Sequence, residues 1–176
     1  MQAVKMAPQP DDGVSQKVEH VKLVPLFQDL LKNEAALSRL ADMMEERTYK
    51  PGTAIIKEGE AGSEMFLLIE GNASVFKKTG EGEMYKVAIL DGAKHVFFGE
   101  GSLLDSDARS ATITAETVCI CLVLSSAQFD QFGLENPQWS LPVLRRIARV
   151  VMARLRRAND DMTLLYNALV AEIRGN

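Results

Sequence analysis

The sequence predicts a mainly β domain with helices at both ends. Three observations carry that expectation. Short β-rich runs alternate with turn signals from about Thr48 to Leu124. Most of the glycines fall between those runs, where a positive φ is cheap only for glycine. The segments on either side instead place apolar residues at three- and four-residue steps.

In chain order, residues 1–17 are polar and carry Pro8, Pro10 and Gly13, so they are expected to form a disordered tail. They contain no apolar run of the kind a secretory signal needs. From Val18 to about Arg47 the pattern is helical, through Leu30, Leu31, Leu37, Leu40, Ala41 and Met44. Pro25 splits it into a lead-in and a main helix, with Asn33 as the cap of the second piece. Seven strand candidates follow: TAII, MFLLIE, ASVFKK, YKVAIL, HVFF, ATITAET and VCICLVL. Runs this short and this evenly spaced suit an antiparallel sandwich or barrel.

SSAQFDQFGLENP reads as a short helix capped by Ser125 or Ser126 and stopped by Gly133 and Pro137. A long helix then runs from Leu141 to about Ile173. Leu144, Ala148, Val151, Leu155, Ala158, Met162, Leu165 and Leu169 keep a seam that suits a partner helix, which points to a homodimer. The same seam also suits packing on its own domain. The organisation is therefore a tail over 1–17, a β-rich unit with flanking helices over 18–136, and a C-terminal helix over 137–176.

Composition narrows the function. At 176 residues the chain suits one domain, and a hydrophobic fraction of 47% is enough for a core without staples. A net charge of −4 leaves no footprint for nucleic acid, so DNA is not an expected partner, while a small anion remains compatible with a local basic site. No apolar run reaches the ~20 residues of a membrane span. Cys119 and Cys121 share one strand face and read as reduced, buried thiols of a cytoplasmic protein. Two histidines, His20 and His95, cannot by themselves supply a metal cluster, and no nucleophile–base arrangement is visible, so neither a metal, nor a cofactor, nor an enzymatic activity is expected. Arg145, Arg146, Arg149, Arg154, Arg156 and Arg157 crowd the last helix, as a solvated flank or as a contact for an acidic partner.

The segment FGEGSLLDSDARSATI, Phe98 to Ile113, holds the candidate site. Gly99 lets the backbone turn and lets a ligand come close. Glu100, Gly101, Ser102, Leu103 and Leu104 can open a short helix whose first N–H groups suit an anion. Arg109 returns at the next strand, and its guanidinium can fork onto phosphate oxygens. Glu100 is then best used on a neighbouring hydroxyl. A surface salt bridge between Glu100 and Arg109 is the plainer reading of these two residues alone.

The wider pattern resembles the cyclic nucleotide-binding domain family, which includes regulatory subunits of cyclic-AMP-dependent kinase, the bacterial catabolite activator protein and cyclic-nucleotide-gated channels. The resemblance runs from about His20 to about Asn159. It rests on Pro51-Gly52, Gly59-Glu60, FLLIEG ending at Gly71, Phe98-Gly99-Glu100 and Arg109-Ser110-Ala111-Thr112. It implies an eight-stranded antiparallel β-roll, jelly-roll-like, with flanking helices. It also implies that the quoted segment is a phosphate-binding cassette. Arg109 would hold the cyclic phosphate, helped by backbone N–H groups of Ser102 and of Ala111 or Ser110. Glu100 and the Gly99 carbonyl would take the ribose 2′-OH, and Arg156, Arg157 and Asn159 would cover the base.

Three positions depart from the family pattern: Gly101 replaces a larger apolar residue, Ala108 a frequent proline, and Lys94-His95 a shorter glycine-led turn. None removes a charge-bearing contact. The implied function is a sensor of cyclic AMP, or of cyclic GMP through a Ser110 hydroxyl, that signals by movement of the last helix. The competing reading is a degenerate roll that binds nothing and serves as a dimerising scaffold. The roughly fifteen residues after Asn159 continue the heptad, so a DNA-binding domain is not expected in this chain. A protein partner or an output domain elsewhere would then carry the signal.

Overall fold

The computed structural model describes residues 12–105 and 108–175. Among these residues, four α-helices and eight strands make up the fold. Helix α1 (Asp12–Leu23) is followed by a 3₁₀ segment over Pro25–Lys32 and by α2 (Glu34–Met43). The strands are β1 (Glu45–Tyr49), β2 (Ala54–Ile56), β3 (Glu64–Glu70), β4 (Asn72–Lys78), β5 (Met84–Asp91), β6 (Phe97–Phe98), β7 (Thr112–Ala115) and β8 (Cys119–Ser125). Helices α3 (Ser126–Glu135) and α4 (Pro137–Gly175) close the chain.

The strands form two four-stranded antiparallel sheets, in the orders β1-β8-β3-β6 and β2-β7-β4-β5. This is the mainly β roll with flanking helices that the sequence predicted. Its two cores explain why β3 and β8 read as unbroken apolar runs. Side chains alternate across a strand, and both faces of these two strands are covered. Phe66 and Leu68 of β3, with Cys119, Cys121 and Val123 of β8, fill the space between the sheets beside Ile56, Phe98 and Ile113. Met65, Leu67, Leu122 and Leu124 point the other way, into a second core with the helices. Burial pushes the Cys121 thiol up to about 12, with Cys119 beside it adding to the shift, so both thiols are inert packing residues.

Several boundaries differ from those expected. Residues 1–11 lie outside the described residues, but 12–17 are the first turns of α1 and not part of a tail. The reason is an apolar stripe at Val14, Val18 and Val21, which packs into the helical core. The N-terminal helical region ends at Met43, and β1 follows over Glu45–Tyr49. That strand was missed because EERTY carries three charges and little apolar alternation; it is held by pairing with β8 and by an Arg47 fork onto Glu64.

Two caps fall where expected. Asn33 Oδ1 accepts from Ala36 N at 3.1 Å. Ser125 and Gln128 form a reciprocal capping box, and Gln128 also donates to the Met43 carbonyl, tying α3 to α2. Helix α3 does not stop at Gly133. It runs on to Glu135, anchored by buried Phe129 and Phe132, and Asn136 is the residue that ends it. Helix α4 begins at Pro137, four residues before Leu141, and continues through Pro142. Proline at the first helical position costs no hydrogen bond.

Candidate functional site

The site is built where β6, the turn after it and the start of β7 meet the loop between β2 and β3. Phe98 ends β6 with its ring buried and stacked on Phe66, centroids 5.3 Å apart. Gly99 follows at φ 73°, a left-handed turn that an L side chain resists. The chain then winds into a 3₁₀ turn over Glu100–Leu103, which buries Glu100 and Ser102. The Ser102 N–H donates back to the Gly99 carbonyl at 3.1 Å and so is engaged within the turn.

Arg109 is fixed at both ends. Its backbone pairs with the opposite loop: Arg109 N donates to Glu60 O, and Gly59 N donates to Arg109 O, each at 2.9 Å. Its guanidinium reaches inward. Nη1 donates to Ser102 Oγ at 2.6 Å and more weakly to the Gly99 carbonyl at 3.4 Å, and Nη2 donates to the Glu64 carbonyl at 2.7 Å. The guanidinium also lies over the Phe66 ring, 5.8 Å from its centroid. Two glycines make the room. A Cβ on Gly62 would stand 2.1 Å from Arg109 Nε, and one on Gly99 would stand 2.8 Å from Nη1.

The electrostatics follow from that placement. Among the described residues no carboxylate pairs with Arg109; its partners are a hydroxyl and two carbonyls. Desolvation lowers its pKa, with the Glu64 charge opposing the shift. A half-buried guanidinium held by neutral acceptors has unused capacity for an anion. The surface salt bridge between Arg109 and Glu100 is not formed. Glu100 is only 3% exposed and pairs instead with Arg154 of α4.

Two cavities meet at this guanidinium. One, of about 350 Å³, is lined by Gly99, Glu100, Gly101, Ser102, Arg109, Ser110 and, from α4, Val151 and Arg154, among others. The other, of about 300 Å³, runs over the roll past Ile56, Val75, Ala88, Leu90, Phe98, Ala111 and Ile113. The first offers hydroxyl, carbonyl and charged groups. The second offers an apolar wall with Ser110 and Arg154 at its rim. Together they suit a ligand with an anionic end and a flat apolar end.

The structure therefore brings Phe98, Gly99, Glu100, Gly101, Ser102, Arg109, Ser110 and Ala111 around the two cavities. Arg156, Arg157 and Asn159 line neither and are exposed: Arg156 and Asn159 are turned away by their phase on α4, and Arg157, on the Arg154 face, lies nearly a turn further along the helix. The residues from α4 that do reach the site are Val151 and Arg154, and Arg154 lines both cavities. It was legible in principle: Val143 and Ile147 are fully buried, and Val150 and Arg154 continue that face at the i+7 and i+11 positions. Gly62 and the Glu64 carbonyl had no local signal, since they meet Arg109 only through the fold.

Comparison with known proteins agrees with this geometry. A family model described as "Cyclic nucleotide-binding domain" matches residues 46–136. The regulatory subunit of cAMP-dependent protein kinase from Mycosarcoma maydis is 41% identical over 92 residues, covering 52% of this chain and 17% of that protein. Human cGMP-dependent protein kinase 2 is 40% identical over 105 residues, covering 58% of this chain and 14% of that protein. The chain thus spans about a sixth of the length of these relatives. Among solved structures, the catabolite activator protein of Thermus thermophilus superposes with a TM-score of 0.70 at 27% identity, over 81% of this chain and 63% of that one. With the β-roll, the half-buried arginine and the family match in agreement, the chain belongs to the cyclic nucleotide-binding domain family.

Proposed function

We propose that this chain is a regulatory sensor of cyclic AMP that signals through α4. The single observation that carries the reading is Arg109: a half-buried guanidinium, cradled by Gly62 and Gly99, whose partners among the described residues are all neutral. A cyclic phosphodiester supplies the missing negative charge and accepts both faces of the fork. The ribose then lies toward Glu100, and the base lies along the apolar wall of Ile56, Val75, Leu90 and Ile113. Ser102 and Ser110 offer hydroxyls at the phosphate.

The output follows from where α4 sits. Its Val151 and Arg154 belong to the wall of the phosphate cavity, so filling that cavity changes what α4 touches. A ligand shifts an equilibrium only through such differential contacts. Taking a switch from mostly off to mostly on needs about 5 kcal/mol of difference. The segment joining α3 to α4 around Asn136 and Pro137 is where the helix pivots, with the base covered as it closes. The exposed seam of α4 then makes the working form a homodimer, acting in the cytoplasm on a protein partner or on an output domain and not as an enzyme.

One observation favours a second reading. Ser110 lines both cavities, and a hydroxyl there can accept from the exocyclic amine of guanine, which supports cyclic GMP as the alternative ligand. A thermal-shift series with cyclic AMP, cyclic GMP and cyclic di-GMP tests the reading. Ligand at a hundredfold excess over Kd adds about 2.7 kcal/mol to the folded form, a rise in Tm of about 5–10 °C for a chain this size. Cyclic AMP is expected to give the largest rise. A larger rise with cyclic GMP selects the alternative, and no rise with any of them leaves a dimerising scaffold.

A further inference from the structure

The buried carboxylate of Glu100 is sealed in this structure. Its Oε1 accepts from Arg154 Nη1, while its Oε2 is buried without a hydrogen-bond partner. The two partners are unequally placed: the Arg154 side chain is 59% exposed and the Glu100 side chain 4%. Arg154 is also shared by both cavities, standing with Gly99, Arg109 and Ser110 where they adjoin. It therefore stands where the two cavities adjoin, and it holds one of the two Glu100 oxygens while the other is shut off from solvent.

We propose that Arg154 is a displaceable plug: in the ligand-free protein its guanidinium stands in for the ribose hydroxyl on Glu100, and ligand entry drives it off. This rests on the cyclic nucleotide reading given above. The exchange is favourable for a physical reason. An exposed arginine rehydrates at little cost, whereas a buried carboxylate left without a donor is strongly disfavoured. Glu100 can therefore release Arg154 only to something that donates in its place. A ligand with a hydroxyl at that position does so, and a 2′-deoxy ligand does not. Because Arg154 is carried by α4, the same exchange unties α4 from the turn over Glu100–Leu103. The plug thus reports occupancy of the ribose site to the helix that carries the signal.

The test measures the affinity of cyclic AMP and of its 2′-deoxy analogue for the wild type, Arg154→Ala and Arg154→Met by calorimetry. With the competitor gone, Glu100 has only the ligand's hydroxyl to pair with. Cyclic AMP is expected to bind either variant more tightly than the wild type, and the preference over the 2′-deoxy analogue is expected to grow by about tenfold or more. Arg154→Met answers the question if Arg154→Ala fails to fold, because it keeps the aliphatic stem and offers Glu100 no donor. An unchanged or reduced preference, with wild-type binding intact, overturns the plug and makes Arg154 a residue that merely orients Glu100. A wild type that binds no cyclic nucleotide fails the function itself, and the plug with it.

Discussion

Gly62 decides where the Arg109 guanidinium can lie. Its φ is not in the left-handed region, so alanine there meets no backbone strain. The cost is local: a methyl group would stand 2.1 Å from Nε and 2.5 Å from Cζ. Arg109 is flexible enough to move away, but in doing so it leaves Ser102 and the Glu64 carbonyl. Gly62→Ala is therefore expected to melt within a few degrees of the wild type while losing about tenfold or more in cyclic AMP affinity, the value of one charge-assisted contact. Calorimetry beside a thermal melt checks it, and undiminished affinity would mean that the guanidinium position is not what binds ligand. Gly99 is a different case. Its φ is 73°, and a Cβ there would stand 2.9 Å from the Glu64 carbonyl oxygen, so any side chain at this position is a folding problem. At this scale the sequence was legible where the site is local. Phe98 to Ala111 are neighbours in the chain, and their spacing exposes the cassette. Gly62 and Arg154 lie 47 and 45 residues from Arg109 in sequence, and only the fold brings them to it.

Among the elements, α4 is the least explained by its own chain. Its 39 residues extend about 60 Å at 1.5 Å per residue. Its first turns are anchored by Val143 and Ile147 and by an Arg146 pair with Asp29. Beyond Val151 the seam of Leu155, Met162, Leu165 and Leu169 lies open, with Leu165 at 72% exposure. A single helix of this kind gains little stability from propensity alone, and each covered leucine is worth about 1.5–3 kcal/mol. In the proposed dimer a second α4 would cover this seam. Sedimentation at micromolar concentration is expected to show a dimer, and Leu165→Asp a monomer with an unchanged fold, since that side chain is exposed in the single chain. A wild-type monomer would remove the seam's role. The heptad spacing was readable because it repeats. The inward face of the same helix was harder to read, because Val143, Ile147, Val150 and Arg154 interleave with the seam and include a charge.

Across the whole molecule, two cores divide the labour. The core between the sheets holds the cavity walls still, through Ile56, Phe66, Phe98 and Ile113. The other core, between β3, β8 and the helices, is where α4 joins through Val143 and Ile147. Strands that serve both cores read as continuous apolar runs and were found from sequence. β1, with exposed charges and an edge position, was not. The site lies where these layers meet, with Val151 and Arg154 of α4 in the wall of a cavity that the roll also lines. The proposed function depends on one contact, the Arg109 guanidinium on a cyclic phosphate. Titration calorimetry of cyclic AMP into the wild type and into Arg109→Ala tests it most directly. Removing one partner of a buried charged pair costs about 2–5 kcal/mol, so affinity is expected to fall by about 30- to 4,000-fold. Equal affinity in the two proteins would contradict the account.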